Sequence, residues 1–91
     1  NNAEDRLLTY EKEQRDLTGI KNLKIIYNKN NGYSIEVTKV NTDKVDKSYI
    51  RKQTLKNQER YTTEELENIS SLILNGRIRL IVLNMNFLMI L

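Results

Sequence analysis

Four cationic side chains, Arg51, Lys52, Lys56 and Arg60, fall between Tyr49 and Tyr61, interleaved with Gln53, Thr54, Asn57 and Gln58. Cations beside neutral hydrogen-bond donors suit the backbone of a polyanion: the charges neutralise phosphates and release counterions, while amides and hydroxyls fix the register of the contact. Catalysis is not what this stretch offers. The chain has no His and no Cys, which removes disulfides, thiol nucleophiles, imidazole acid–base work and zinc sites with soft ligands. The carboxylates Glu64, Glu65 and Glu67 are explained without metal or acid–base chemistry, because the dipole of a helix stabilises acids in its first turn. No catalytic residue, metal site or cofactor is expected.

The charge is unevenly spread. Residues 21–60 carry 10 Lys/Arg against 4 Asp/Glu, whereas the flanking segments are slightly acidic and the whole chain is only +3. A basic middle between acidic flanks marks that middle as the surface for an anionic partner. With 38% hydrophobic and 30% charged residues in 91, the composition is that of one small globular domain or a piece of a larger protein. The N-terminus is polar, so no signal peptide is expected. The apolar tail from Leu80 to Leu91 is too short for a membrane span of about 20 residues.

The elements that must carry the basic stretch follow from hydrophobic periodicity. Ala3, Leu7, Tyr10, Gln14 and Leu17 recur at 4-3-4-3 spacing, one stripe of a helix over roughly 3–17 with Gln14 as a polar interruption. Thr18-Gly19 ends it, glycine being suited to the left-handed position past a helix C-terminus. Leu23, Ile25, Tyr27 and then Tyr33, Ile35, Val37 alternate with other residues around a five-residue loop ending Asn31-Gly32, which predicts a β-hairpin. Residues 39–48 read as a loop.

The basic stretch itself is ambiguous. Gln53 to Tyr61 contains good helix formers and fits either an extension of the next helix or a second pair of strands. Thr62 or Thr63 is a natural N-cap, and Thr62 to Glu65 has capping-box spacing. Beyond it Leu66, Ile69, Ile73, Gly76, Leu80, Leu83, Phe87 and Ile90 keep a heptad spacing that wants a partner helix. The expected fold class is α+β, with a small antiparallel sheet at the tip of an antiparallel two-helix, coiled-coil-like stalk. Its parts are an outgoing helix (1–18), a sheet with loops (19–61) and a returning helix (62–91).

The runs GIKNLKIIYNKNNGYSIEVTKVN and QTLKNQERYTTEEL resemble the clamp domain of the MutS family of DNA mismatch-repair proteins, with flanking parts of its lever helices. The resemblance covers roughly residues 17–75 and favours strand, turn, strand over helix for residues 49–61. It implies a non-enzymatic module of a protein that is cytoplasmic (bacterial, nucleoid-associated) or otherwise intracellular and that grips duplex DNA from outside through its sugar-phosphate backbone. It also implies that mismatch reading and ATP hydrolysis lie in other domains of the parent protein. In keeping with that, the three glycines fit no phosphate-binding motif of the type G-x-x-x-x-G-K-[ST]. Asp46 and Glu64 stand near places where the family usually has proline.

The candidate DNA-binding residues are therefore Asn28, Lys52, Gln53, Thr54, Lys56, Asn57 and Arg60. For Asn28 a turn-forming role is the equal alternative. The tyrosines are expected to pack the sheet rather than stack on bases. Self-association is expected through the apolar helix at about 78–91. The rival reading of the whole is a structural coiled-coil interaction module whose basic tip is only a solvated surface.

Overall fold

The computed structural model describes residues 2–84. The first helix, α1, runs Asn2–Thr18, and its end follows the expected chemistry: Gly19 takes φ +74° and its N–H donates to the Arg15 carbonyl at 2.9 Å. Strands β1 (Lys24–Asn28), β2 (Gly32–Thr38), β3 (Ile50–Thr54) and β4 (Gln58–Thr62) form one antiparallel sheet in the order β1-β2-β4-β3. Residues 49–61 are thus extended, and the helical alternative does not hold. A second helix, α2, follows at Glu64–Asn84.

Three local details differ from the sequence expectation. Strand pairing continues to Asn28 opposite Gly32, so the first hairpin turn is three residues, with Gly32 supplying the positive φ (+73°). Lys39–Lys44 is a 3₁₀ helix rather than loop, started by a run with no strong strand former other than Val40. The capping box is replaced by a simpler cap: Thr63 Oγ1 accepts from the Leu66 N–H at 3.1 Å, and Thr62 Oγ1 instead donates to Glu67 at 2.6 Å.

The core lies between one face of the sheet and both helices. Ile35, Val37 and Tyr61 from the sheet meet Tyr10 of α1, Leu66, Ile69 and Ile73 of α2, and Ile20 and Leu23 from the turn between α1 and β1. The α1 stripe holds from Ala3 to Gln14, but Leu17 is 63% exposed because the chain turns away at Gly19 before that position reaches the sheet. The heptad positions Leu80, Leu83, Phe87 and Ile90, and the self-association expected from this part of the chain, lie outside the described residues and side chains. No helix among the described residues is long and apolar enough to cross a membrane.

Candidate nucleic-acid interface

Strand direction decides which candidate residues can act together. The β1–β2 turn (29–31) sits at the end of the sheet where Asn28 faces Gly32, beside Ser70, Ser71 and Leu74 of α2. The β3–β4 turn (55–57) sits at the opposite end, where Thr38 faces Gln58 and Thr54 faces Glu59. This second end, away from α2, also carries the 3₁₀ helix and the turn after α1.

Lys56 and Asn57 occupy the β3–β4 turn. Both are exposed, and neither side chain has a protein partner among the described residues. The turn is held in shape by its backbone: Leu55 N–H donates to the Gln58 carbonyl at 2.8 Å, and Lys39 N–H donates to the Asn57 carbonyl at 3.0 Å. An ammonium and an amide presented on a braced turn are free to meet phosphate oxygens.

The other five candidates are already engaged. Residues opposite each other in a ladder share a face, which puts Lys24, Glu36, Arg60 and Gln53 in one row across the face opposite the core. Along that row Lys24 and Arg60 pair with the Glu36 carboxylate at 3.4 and 3.1 Å, and Arg60 Nη1 donates to Gln53 Oε1 at 2.9 Å. The Arg60 side chain is only 18% exposed and that of Glu36 8%. Lys52 sits at a bulge between Arg51 and Gln53, which turns its side chain toward the β1–β2 turn; Nζ donates to the Asn31 carbonyl at 2.6 Å. Thr54 donates to Glu59, which also pairs with Arg51 at 3.1 Å. The Asn28 Oδ1 accepts from the N–H groups of Asn30 and Asn31 and shapes the turn, the bland alternative of the sequence reading.

A family model described as MutS family domain IV matches residues 1–77. The chain belongs to the MutS family. Among MutS relatives, the DNA mismatch repair protein of Caldicellulosiruptor saccharolyticus is 55% identical over 82 residues, 90% of this chain and 10% of its own length. Those of Aquifex pyrophilus and Carboxydothermus hydrogenoformans are 52% and 51% identical over 79 and 74 residues, in each case 9% of the relative. The chain spans about a tenth of the length of the curated relatives it matches. Within this MutS-family domain the basic middle divides into a bound set, centred on Glu36, and a free set at the β3–β4 turn.

Sequence reasoning missed the neighbours of that free set. Lys39 and Lys44 lie on the 3₁₀ helix and Lys21 on the turn after α1, all exposed and all at the same end as Lys56. The only signal for them was the charge excess of residues 21–60, which does not say which lysines share a surface. The tyrosines do pack the fold: Tyr27 against Tyr33 and Tyr49 against Tyr61, with ring centroids 5.0 and 5.7 Å apart. Burial pushes the Tyr49 hydroxyl well up from the usual phenol range and raises that of Tyr10. Hydrogen bonds from the Ser48 side chain and backbone hold the Asp46 carboxyl below the usual carboxylate range. Among the described residues no group of carboxylates is arranged to hold a metal ion.

Proposed function

We propose that this chain is the clamp region of a DNA mismatch-repair protein and that it holds duplex DNA by the sugar-phosphate backbone without reading sequence. The observation that carries the reading is the β3–β4 turn, where Lys56 and Asn57 stand exposed and without partners among the described residues in a domain of the MutS family. Backbone contacts of this kind supply affinity and register but no sequence information. Mismatch reading and ATP hydrolysis belong, on this reading, to other domains of the parent protein, which acts inside the cell on the chromosome.

The same reading makes α1 and α2 the roots of an antiparallel stalk. Its support is that they touch where the stalk would join the sheet: Arg6 pairs with Glu65 at 3.2 Å, and the Tyr10 and Thr63 hydroxyls share a hydrogen bond. Leu8, Leu72 and Leu74 are exposed on these helices, as expected of surfaces that meet other domains of the parent protein.

Titration of the chain with a duplex at about 20 and about 200 mM salt tests the reading, since neutralising phosphates makes affinity fall with salt. Salt-dependent binding that is weakened in Lys56→Gln is the expected result. Absence of binding at the lower salt would leave the structural coiled-coil module as the better account.

A further inference from the structure

We infer that the DNA contact extends beyond the β3–β4 turn, across Lys39, into a hollow between the turn after α1 and the 3₁₀ helix, where Lys21 and Lys44 take a backbone phosphate. The inference rests on the DNA-binding reading above and adds to it three lysines and the path of the strand.

Topology brings three separate pieces of chain together at this end of the sheet. The hollow, about 400 Å³, is lined by Gly19, Ile20, Lys21, Asn22, Asn41 and Lys44. An amide bridge holds its two walls: Asn41 Nδ2 donates to Asn22 Oδ1 at 3.4 Å and to Thr38 Oγ1 at 3.0 Å, and Asn22 Nδ2 donates to the same hydroxyl at 3.5 Å. Thr38 leads directly into Lys39, whose N–H is fixed to the Asn57 carbonyl at 3.0 Å. Lys56, Lys39 and the Lys21–Lys44 hollow are therefore parts of one braced surface.

Electrostatics favours the same occupant. Lys21, Lys39, Lys44 and Lys56 are exposed and have no carboxylate partner among the described residues, while Lys24, Arg51 and Arg60 of the strands are spent on Glu36 and Glu59. The acids at this end are Glu59, which pairs with Arg51, Asp16, which lines a neighbouring hollow with Lys21, and Asp43; neither aspartate forms an ion pair among the described residues. A single small anion would need one such lysine, whereas a row of four spread over three loops matches a ligand with repeated negative charges. The Asn57 amide beside Lys56 has no partner among the described residues and adds a donor suited to phosphate oxygens, while Asn22 and Asn41 brace the hollow.

The test is a set of duplex-DNA titrations across salt. Three charge-removing variants are compared with the unaltered chain: Lys21→Gln with Lys44→Gln, Lys56→Gln, and Lys29→Gln. Lys29 is the control, exposed in the β1–β2 turn at the opposite end of the sheet. Each phosphate contact contributes about 0.9 to the slope of log K against log salt, so the double variant should flatten it by about 1.8. Lys56→Gln should flatten it by about 0.9 and Lys29→Gln by much less. The charge-retaining pair Lys21→Arg with Lys44→Arg should keep the original slope, which separates lost contact from a disturbed loop. If Lys56→Gln weakens binding and the double Gln variant does not, the inference fails while the DNA-binding reading stands. If Lys29→Gln costs as much as the others, attraction is diffuse and the inference fails. If the unaltered chain does not bind duplex at all, both fail.

Discussion

The Tyr49 hydroxyl donates to the Gln14 side-chain oxygen at 2.6 Å, joining the residue before β3 to the C-terminal part of α1 across 35 positions of sequence. Gln14 is 8% exposed and sits on the stripe where an apolar residue would be expected. The polar interruption is therefore one half of a tertiary contact. Removing one partner of a buried hydrogen bond leaves the other unsatisfied at a cost of about 1–3 kcal/mol, whereas replacing both by apolar groups can be nearly neutral. Tyr49→Phe should lower stability to urea by that amount, and adding Gln14→Met should recover most of it. Additive losses in the double variant would show that the two side chains do not depend on each other.

Alkaline pH should weaken the fold. Burial raises the Tyr10 and Tyr49 hydroxyls above the unfolded value of about 10. Below that pH both states keep their phenolic protons and these groups add no pH dependence. Above it the unfolded chain loses protons that the folded chain retains, so stability falls as pH rises toward the folded values. Urea midpoints at about pH 8 and about pH 11 should show the loss, and Tyr49→Phe should make it smaller. An equal loss in the variant would assign the alkaline weakness to other groups.

Arg60 and Lys56 should separate stability from binding. Arg60→Ala leaves the Glu36 carboxylate, 8% exposed, with only the largely exposed Lys24 as partner. Loss of such a half-buried pair should cost about 1–3 kcal/mol in unfolding, with little change in the salt dependence of DNA binding. Lys56→Ala should do the reverse. Urea unfolding and salt titrations on the same two variants decide it, and a slope that flattens by about 0.9 in Arg60→Ala would return Arg60 to the DNA contact.

Matched and mismatched duplexes should bind alike, because the contacts available to exposed lysines and amides on these turns are to the backbone. Competition between the two measures it. A preference above about tenfold, or about 1.4 kcal/mol, would place recognition of the mismatch within this domain.

The sequence showed the fold wherever periodicity and punctuation were strong. The helix ending at Gly19, the hairpin closed by Gly32 and the start of α2 at a threonine were all legible from local chemistry. The strands at 50–62 were not, because Gln53 to Tyr61 suits a helix and what makes it β is pairing with β2, a contact between distant residues. Seven site residues came from charge and motif alone, and charge does not reveal neutralisation. Glu36 lies 24 positions from Arg60, so the pairing that engages Arg60 is visible only after the strands are in register. The lysines at 21, 39 and 44 were hidden for the opposite reason, being unremarkable in sequence and gathered by topology.

The edges of the sheet have a consequence for how the protein survives at high concentration. In a four-stranded sheet ordered β1-β2-β4-β3, the outer strands are β1 and β3, and each could in principle recruit a strand from another molecule. On β1 the Ile25 N–H that would begin such a pairing is taken by Glu11 Oε2 at 2.7 Å, and the Leu23 carbonyl just before the strand by Arg15 at 3.1 Å. On β3 the bulge at Lys52 breaks the even spacing that a continuing ladder needs, beside two cations. The start of one border is thus capped by side chains of α1 and the other is broken by a bulge, two features that work against edge-to-edge pairing with another molecule.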